Sequence, residues 1–343
     1  MGSVFPVRRR VRRFRLFALA AVLSLLAGGL GAEELRFFQL GTGPTGEARF
    51  PLGGLIANAI SNPPGSRECE KGGSCGVPGL VAVAKSTAGS VANIRDVADH
   101  RLDAALVDAD AAYWAVRGVG VFKDKPVTNL RAIAMVYPQS LHLVVRKDAK
   151  LLGIKDLAGK RVAVDDSELG ALAPGRLVLA AYGLSDGRTA IRNMNPLAAA
   201  DALAAGQIDA FLTVEGWPIP AVSELARTTP IALLPLTGPQ VDALRTQYPF
   251  FTDSEIRADA YEGVTQAVKT LGIGVMLVTS AEEDKDLVAG ITRALWHPST
   301  QKLLVNGVHH GRLIGLDADS PPKLGIELHP GAAAYYAKAQ LAH

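Results

Sequence analysis

Residues 35–60 read Leu-Arg-Phe-Phe-Gln-Leu, then Gly-Thr-Gly-Pro-Thr-Gly, then Glu-Ala-Arg-Phe-Pro-Leu-Gly-Gly-Leu-Ile-Ala-Asn-Ala-Ile. The first six residues are a short apolar run, which is typical of a strand. Residues 52–60 have the apolar pattern of a helix, and the glycines before them favour a tight turn. This strand, turn and helix predict a layered α/β fold.

Short apolar runs continue to alternate with helical patterns along the chain, as they do in α/β layers with mostly parallel sheets. Further strands are predicted at residues 80–84, 104–107, 130–136, 161–164, 189–194, 210–214, 231–236 and 271–278, and an extended segment at 141–146. Further helices are predicted at residues 91–100, 111–117, 176–182, 197–205 and 285–296, and from residue 331 onward.

Two sets of these elements are connected by extended stretches near residues 137–145 and 231–235. A chain that passes twice between two sets forms two α/β lobes joined by a two-strand hinge, with a ligand cleft between them. The length of 343 residues also favours two domains over a single core. We therefore predict a discontinuous lobe 1, residues 33–136 and 236–343, and a lobe 2, residues 137–235.

The first 32 residues differ in composition from the rest of the chain. They contain six arginines between Arg8 and Arg15 and no acidic residue, followed by fifteen uncharged residues at 16–30. This layout predicts a cleavable signal peptide at residues 1–32, because the uncharged stretch is short for a membrane anchor. Without the six arginines the chain has 30 basic and 33 acidic residues, so its formal charge falls from +3 to about −3. The basic charge therefore does not indicate nucleic-acid binding.

Cys69 and Cys75 are the two cysteines of the chain, and they lie in a polar, glycine-rich segment. In an exported protein such a pair indicates one disulfide that closes a small loop. A structural zinc site needs more ligands than two cysteines, and the five-residue gap does not fit a redox motif. We predict a structural disulfide, no metal and no cofactor.

The turn at residues 41–46 has the Gly-x-Gly-x-x-Gly spacing of a dinucleotide-binding loop. The acidic ribose partner expected about twenty residues later is missing. A phosphate-binding loop would need Lys followed by Ser or Thr where Glu47 and Ala48 stand. The segment is then either a tight turn that needs glycines or, as the better fit, an anion-binding loop that uses backbone N–H groups and the hydroxyls of Thr42 and Thr45.

Motifs of known catalytic sites are missing from the sequence. It contains no HExxH motif, no GxSxG elbow and no recognisable setting for a Ser-His-Asp triad. His142 lies in an apolar extended run and is predicted to be a satisfied strand residue. Asp165 and Asp166 could bind a cation, but a solvated turn needs no ion and is the favoured interpretation. The sequence predicts a binding protein rather than an enzyme.

Several motifs occur in the order found in one family. They are Gly-Thr-Gly-x-Thr and Phe-Pro-Leu-Gly-Gly (41–54), Ser-Thr-Ala-Gly-Ser-Val-x-Asn (86–93), Ala-Leu-Val-Asp-Ala-Asp (105–110), Tyr-Pro-Gln-Ser-Leu-His-Leu-Val-Val-Arg (137–146), Gly-Gln-Ile-Asp-Ala-Phe (206–211) and Leu-His-Pro-Gly-Ala (328–332). With them the chain resembles TAXI-type solute-binding proteins of TRAP transporters. The resemblance implies a periplasmic binding protein of type II, expected as a monomer, that closes on an amino acid or organic acid and docks on TRAP membrane subunits.

Loop positions and this resemblance together predict the residues that contact the solute. In lobe 1 they are Thr42, Thr45, Arg49, Phe50, Thr87, Ser90, Asn93 and Asp108. Tyr137 near the hinge and Glu215 and Trp217 of lobe 2 complete the pocket. Phe50 and Trp217 are expected to pack against the apolar part of the solute, whereas a role as helix N-cap explains Ser90 equally well.

The sequence departs from the family where the solute is held. Arg49 and Phe50 replace a pair of tyrosines, and Asp108 replaces a glutamine. The stretch after Val164 lacks the Gly-Ser-Gly-Thr-Arg cradle for a carboxylate. These changes add acid, so Asp108 and Glu215 need a cation, which either Arg49 or an amine of the solute could supply. The alternative is that Glu215 points to solvent and the solute is an ordinary acid.

Two other functions are compatible with the same fold. The receptor could present its solute to a membrane-bound sensor kinase instead of a transporter. A secreted enzyme is the second alternative, although no motif in the sequence supports it.

Overall fold

The computed structural model describes residues 1–2, 35–45, 47–166, 168–185, 187–308 and 325–340. The predicted signal peptide, residues 1–32, therefore lies outside the described residues except for its first two. Among the described residues, no helix has both the length and the apolar character that crossing a membrane requires. The chain from Arg36 onward forms one compact unit.

Ten of the strands in the described residues pair into one mixed sheet. The strands are β1 (Arg36–Gly41), β2 (Ser61–Asn62), β3 (Val77–Pro78), β4 (Leu80–Lys85), β5 (Ala104–Asp108), β6 (Leu130–Arg146), β7 (Arg161–Val164), β8 (Ala190–Asn193), β9 (Ala210–Glu215), β10 (Ile231–Leu233), β11 (Phe251–Ile256) and β12 (Val268–Ser280). The order is β4-β1-β5-β12-β6-β9-β7-β8, with β10 beside β6, β11 beside β12, and β2 paired with β3 outside the sheet. We refer to β4, β1, β5 and β12 as the first strand group and to β9, β7 and β8 as the second; β6 lies between them.

The helices flank this sheet. They are α1 (Arg49–Ile60), α2 (Ser90–Ala98), α3 (Ala109–Arg117), α4 (Pro174–Ala181), α5 (Pro196–Ala204), α6 (Pro220–Thr228), α7 (Pro239–Gln247), α8 (Lys285–Leu295), α9 (Pro298–Gly307) and α10 (Pro330–Gln340). The sequence did not predict α6, α7 or α9, although each begins with a proline at its first position. Proline favours that position because its fixed φ suits the helix and its missing N–H is not needed there.

Strand β5 shows why helices cover both faces of the sheet. Ala105 and Val107 point into one buried cluster with α2 and α3, whereas Ala104 and Leu106 point into a second cluster with α1 and α8. Successive side chains of a strand point to opposite faces, so an uninterrupted apolar strand needs cover on both sides. The predicted α/β class is confirmed.

Strand β6 runs unbroken over seventeen residues, although the sequence predicted two separate segments around Pro138. The strand pairs with β12 up to Ser140, and its pairing with β9 also begins at Ser140. At Pro138 it therefore has a neighbour on one side only. A proline is tolerated in a strand where one edge is unpaired, because no second set of ladder bonds is lost there.

The second predicted connection runs beside the first. Strand β10 pairs with the end of β6, and the segment continues with a bond from the N–H of Leu234 to the carbonyl of Leu143. The N–H of Leu236 then bonds to the carbonyl of Lys269 on β12. The chain thus passes between the two strand groups along β6 and again along residues 231–236. The lobe boundaries given above remain a prediction.

The predicted disulfide between Cys69 and Cys75 is present in the structure, with Cα atoms 4.8 Å apart. It closes the polar loop between β2 and β3. His297 lies beside it, with Nε2 3.8 Å from the Sγ of Cys69.

Candidate functional site

A cavity of about 1200 Å³ opens beside β6. Residues that follow β1 and β5 line one side, and residues that follow β7, β8 and β9 line the other. Tyr137, Gln139 and Leu141 of β6 lie between these sides. The carboxyl ends of strands and the loops that follow them therefore form the cavity, which is where α/β proteins commonly bind ligands.

Arg49, the first residue of α1, is bound on several sides by protein groups. Its Nη1 donates to Asp108 Oδ2 (3.0 Å) and Ser90 Oγ (2.8 Å), and its Nη2 donates to Glu47 Oε2 (2.6 Å). The Ser90 hydroxyl in turn donates to Asp108 Oδ2 over 2.9 Å. Burial by itself would lower the pKa of Arg49, but the charges of Asp108 and Glu47 outweigh it and raise this pKa. The guanidinium is permanently charged and held by two carboxylates.

The cavity is strongly acidic. Its lining residues with a carboxyl side chain are Glu47, Asp108, Asp110, Asp165, Asp166, Glu168 and Glu215, and Arg49 is the one lining residue with a cationic side chain among those described. Burial, followed by the charge of Asp108, raises the pKa of Asp110 to about 8, so this group holds a proton at neutral pH. The remaining carboxylates give the cavity a negative potential that favours cationic guests.

Glu215, the last residue of β9, lies at the cavity wall and is half-buried. Its carboxylate has no hydrogen-bond or ion-pair partner within the described part of the chain. Burial, then the charges of Glu47 and Asp165, raise the pKa of Glu215 to about 7. A half-buried carboxylate without a counterion is costly, so a cation that enters the cavity would be stabilised there.

Five of the predicted contact residues line the cavity, namely Thr45, Arg49, Asp108, Tyr137 and Glu215. The other six, Thr42, Phe50, Thr87, Ser90, Asn93 and Trp217, are not among its lining residues. They remain predictions as solute contacts.

Several of these six residues make internal contacts instead. The Thr42 hydroxyl donates to the carbonyl of Lys85 over 2.8 Å, and Asn93 Nδ2 donates to the carbonyls of Thr42 and Leu106. Trp217 packs against a third buried cluster, formed with α5 and α6. The apolar wall of the cavity instead includes Leu141, Leu169, Leu212, Ile219 and Ile273.

Other lining residues were missed by the sequence analysis. Glu47, Asp110, Gln139 and Glu168 face the cavity although no motif marked them as contacts. The favoured interpretation of Asp165 and Asp166 as a solvated turn is wrong for Asp166, which is 8% exposed and accepts from Arg176 Nε over 2.6 Å. The available signal was the number of acidic residues between positions 165 and 168.

His142 has the structural role that was predicted for it. Nδ1 donates to the carbonyl of Ser140 over 2.8 Å, so Nε2 accepts from the Tyr261 hydroxyl over 2.9 Å. This hydroxyl also accepts from the backbone N–H of Ile219 over 2.9 Å. Burial lowers the pKa of His142 to about 4, so the ring is neutral at pH 7. The three groups attach the loop after Glu215 to β6.

Replacing Tyr261 with phenylalanine is expected to lower the free energy of unfolding by about 1–3 kcal/mol, because two buried polar groups lose their partner. Urea unfolding of the wild type and the variant measures this difference. Tyr182→Phe is the matched control, since the Tyr182 hydroxyl bonds to the carbonyl of Thr237 at an exposed position. Equal losses in the two variants would contradict a special role for Tyr261.

Comparison with known proteins gives one family match. A model of the NMT1-like family matches residues 40–339 of the chain.

Solved structures of periplasmic binding proteins are similar to this chain at low identity. The aliphatic sulphonate binding protein of Escherichia coli is 12% identical, with 88% of this chain and 78% of that chain covered and a TM-score of 0.43. The ligand-binding component of an ABC-type import system from Staphylococcus aureus is 10% identical, with 90% and 92% covered and a TM-score of 0.46. A structure described as a periplasmic transporter is 13% identical, with 92% and 97% covered and a TM-score of 0.49. These TM-scores are all below 0.5, so the likenesses do not define a ligand or a membrane partner.

Proposed function

Because the chain belongs to the NMT1-like family, we propose that it is an exported receptor that binds a small solute in the cavity beside β6. The cavity supports this proposal because it combines an apolar wall with a few polar groups, as ligand sites usually do. The signal-like composition of residues 1–32 supports export to the periplasm. Binding without chemistry is the function proposed.

The solute carries a cationic group, and one observation supports this most directly. Arg49, the cationic residue of the described lining, already binds Asp108 and Glu47. A solute carboxylate would have to break these ion pairs or lie unpaired among carboxylates, and either arrangement is costly. An amine would instead find Glu215, whose carboxylate forms no ion pair with a side chain of the described residues.

Binding acts through a shift between open and closed forms of two lobes. The solute contacts both strand groups at once and therefore binds more tightly to the form in which both groups reach it. This difference in affinity shifts the protein toward that form. Strand β6 and residues 231–236 would form the hinge.

We propose a TRAP-type transporter as the membrane partner, because the motifs between residues 41 and 332 follow the same order as in TAXI-type solute-binding proteins. Co-purification of the receptor, loaded with its solute, with the membrane subunits encoded beside its gene tests this partner. Recovery of an ATP-hydrolysing subunit in that complex would contradict the TRAP class.

Calorimetric titration of the purified protein with matched probes tests the class of solute. We expect 1,4-diaminobutane to bind and succinate, which has the same chain length, not to bind at pH 7.5. Mass spectrometry of small molecules released from the purified protein should find a compound with a basic nitrogen. Binding of succinate without binding of any amine would reject the cationic solute.

A further inference from the structure

We propose that Glu168 determines the charge specificity of the cavity: its carboxylate occupies the N-terminus of α2 from the opposite strand group and so keeps solute carboxylates out. This inference rests on the proposed binding function, because it names a residue that sets the class of solute. It concerns a side chain that no motif of the sequence marked.

Glu168 contacts a helix that follows the opposite strand group. The residue follows β7, in the second strand group, and its Oε2 accepts from the backbone N–H of Val91 over 3.0 Å. Val91 lies in the first turn of α2, which follows β4 in the first strand group. One hydrogen bond therefore connects Glu168, which lines the cavity, to a helix turn that is 77 positions away along the chain and follows the other strand group.

The beginning of α2 fits this carboxylate. Gly89 precedes the helix with a φ of 130° and caps it with no side chain, and the first turn of α2 contains no acidic residue. A Cβ at position 89 would overlap Glu168 Oε1. Exposed N–H groups at a helix N-terminus attract anions. Glu168 thus supplies the anion that the local sequence of α2 lacks.

The segment that carries Glu168 is fixed on both sides. Asp166 is bound to Arg176, and Leu169 is buried in the largest cluster. Leu172 approaches the first half of the chain at Gly120, where a Cβ would lie 2.5 Å from its Cδ1. The position of the Glu168 carboxylate is therefore set by its neighbours as well as by its own hydrogen bond.

A second carboxylate flanks the same helix turn. Asp108 Oδ2 accepts from the Ser90 hydroxyl over 2.9 Å, and Ser90 is the first residue of α2. Asp108 is in turn paired with Arg49. A solute carboxylate that approached this turn would meet two like charges and a guanidinium already bound to carboxylates. Repulsion between like charges is a common means of rejecting the wrong partner.

Replacing Glu168 with alanine should open the turn to a free carboxylate. We expect E168A to bind succinate at least about tenfold more tightly than the wild type, because an anion then replaces the missing side chain at the helix N-terminus. Calorimetric titration with succinate, and separately with 1,4-diaminobutane, gives both affinities. In ¹⁵N-labelled protein, the Val91 amide signal should shift in E168A and move back when succinate is added.

Two further variants make the test specific. E168Q keeps an acceptor oxygen in the same place, so it should gain less affinity for succinate than E168A does. E262A removes an exposed carboxylate elsewhere on the surface and should gain none. Thermal unfolding of each variant verifies that the fold is retained.

The result also separates this inference from the proposed function. A wild type that binds amines, together with a folded E168A that gains no succinate affinity, would overturn the role of Glu168 and leave the cationic solute in place. A wild type that binds no amine, together with an E168A that gains succinate affinity at Val91, would support Glu168 and reject the cationic solute.

Discussion

Replacing Arg49 with methionine is expected to lower the free energy of unfolding by about 3–5 kcal/mol, the usual cost of removing one partner of a buried ion pair. Arg49 is 8% exposed and donates hydrogen bonds to Asp108, Ser90 and Glu47. Methionine has a similar volume but leaves two carboxylates without their cation in a partly buried site. Denaturant unfolding at pH 7 measures the change.

A double variant separates charge from packing. R49M/D108N removes the negative charge together with its partner, so we expect it to regain at least about 1 kcal/mol relative to R49M alone. Arg101→Met is the control, because Arg101 forms ion pairs with Asp96 and Asp99 at an exposed site and should change stability far less. An Arg49→Met variant as stable as the wild type would show that the network does not hold the site together.

Replacing Glu215 with glutamine is expected to weaken the binding of 1,4-diaminobutane by about tenfold at pH 7, equivalent to ~1.4 kcal/mol. The ionised carboxylate is the group that a cation would pair with, and glutamine keeps the shape without the charge. Calorimetric titration of the two proteins measures the ratio. E262Q, which changes an exposed carboxylate away from the cavity, should bind the diamine as the wild type does.

The pH dependence of diamine binding also tests the role of Glu215. Burial, Glu47 and Asp165 raise the pKa of Glu215 to about 7, and the diamine favours the ionised form. Affinity should therefore rise about fivefold between pH 6 and pH 7 in the wild type, with release of protons, and stay flat in E215Q. Asp110, with a pKa of about 8, remains protonated over this interval. A flat profile in the wild type would contradict a role for Glu215 in binding.

The ligand-free protein should show the opposite trend. A carboxyl group whose pKa is higher in the folded state contributes stability below its unfolded pKa and loses that contribution as pH rises through the folded pKa. For Glu215 this loss extends from about pH 4.5 to about pH 7. Comparison of wild type and E215Q by denaturant unfolding between pH 4 and pH 8 isolates it.

Local patterns predicted most of the secondary structure. The strand at Arg36–Gly41 and the helix at Arg49–Ile60 follow from the apolar spacing of residues 35–60. Short helices such as Pro220–Thr228 were not predicted, because nine residues contain too few helical turns for a clear apolar pattern. The break predicted within β6 was wrong for another reason: at Pro138 one edge of the strand is unpaired, and an unpaired edge tolerates a proline.

The sequence predicted a site at the carboxyl ends of the strands, where the structure has a cavity, but it did not resolve the roles of the side chains. Asn93 was predicted to contact the solute, yet its amide bonds to the carbonyls of Thr42 and Leu106. A polar residue near the start of a helix can either contact a ligand or hydrogen-bond to backbone groups of neighbouring loops. Which of them occurs depends on the distance to other loops, which no local pattern contains.

The sequence by itself determined the α/β class, the pairing of Cys69 with Cys75 and the excess of acid after Val164, because each follows from neighbouring residues or from composition. Tertiary structure alone decided that Arg49 is bound by two carboxylates, that the Glu215 carboxylate has no hydrogen-bond or ion-pair partner in the described residues and that Glu168 reaches α2. The physical reason is that charges interact through space, whereas a sequence orders them only along the chain.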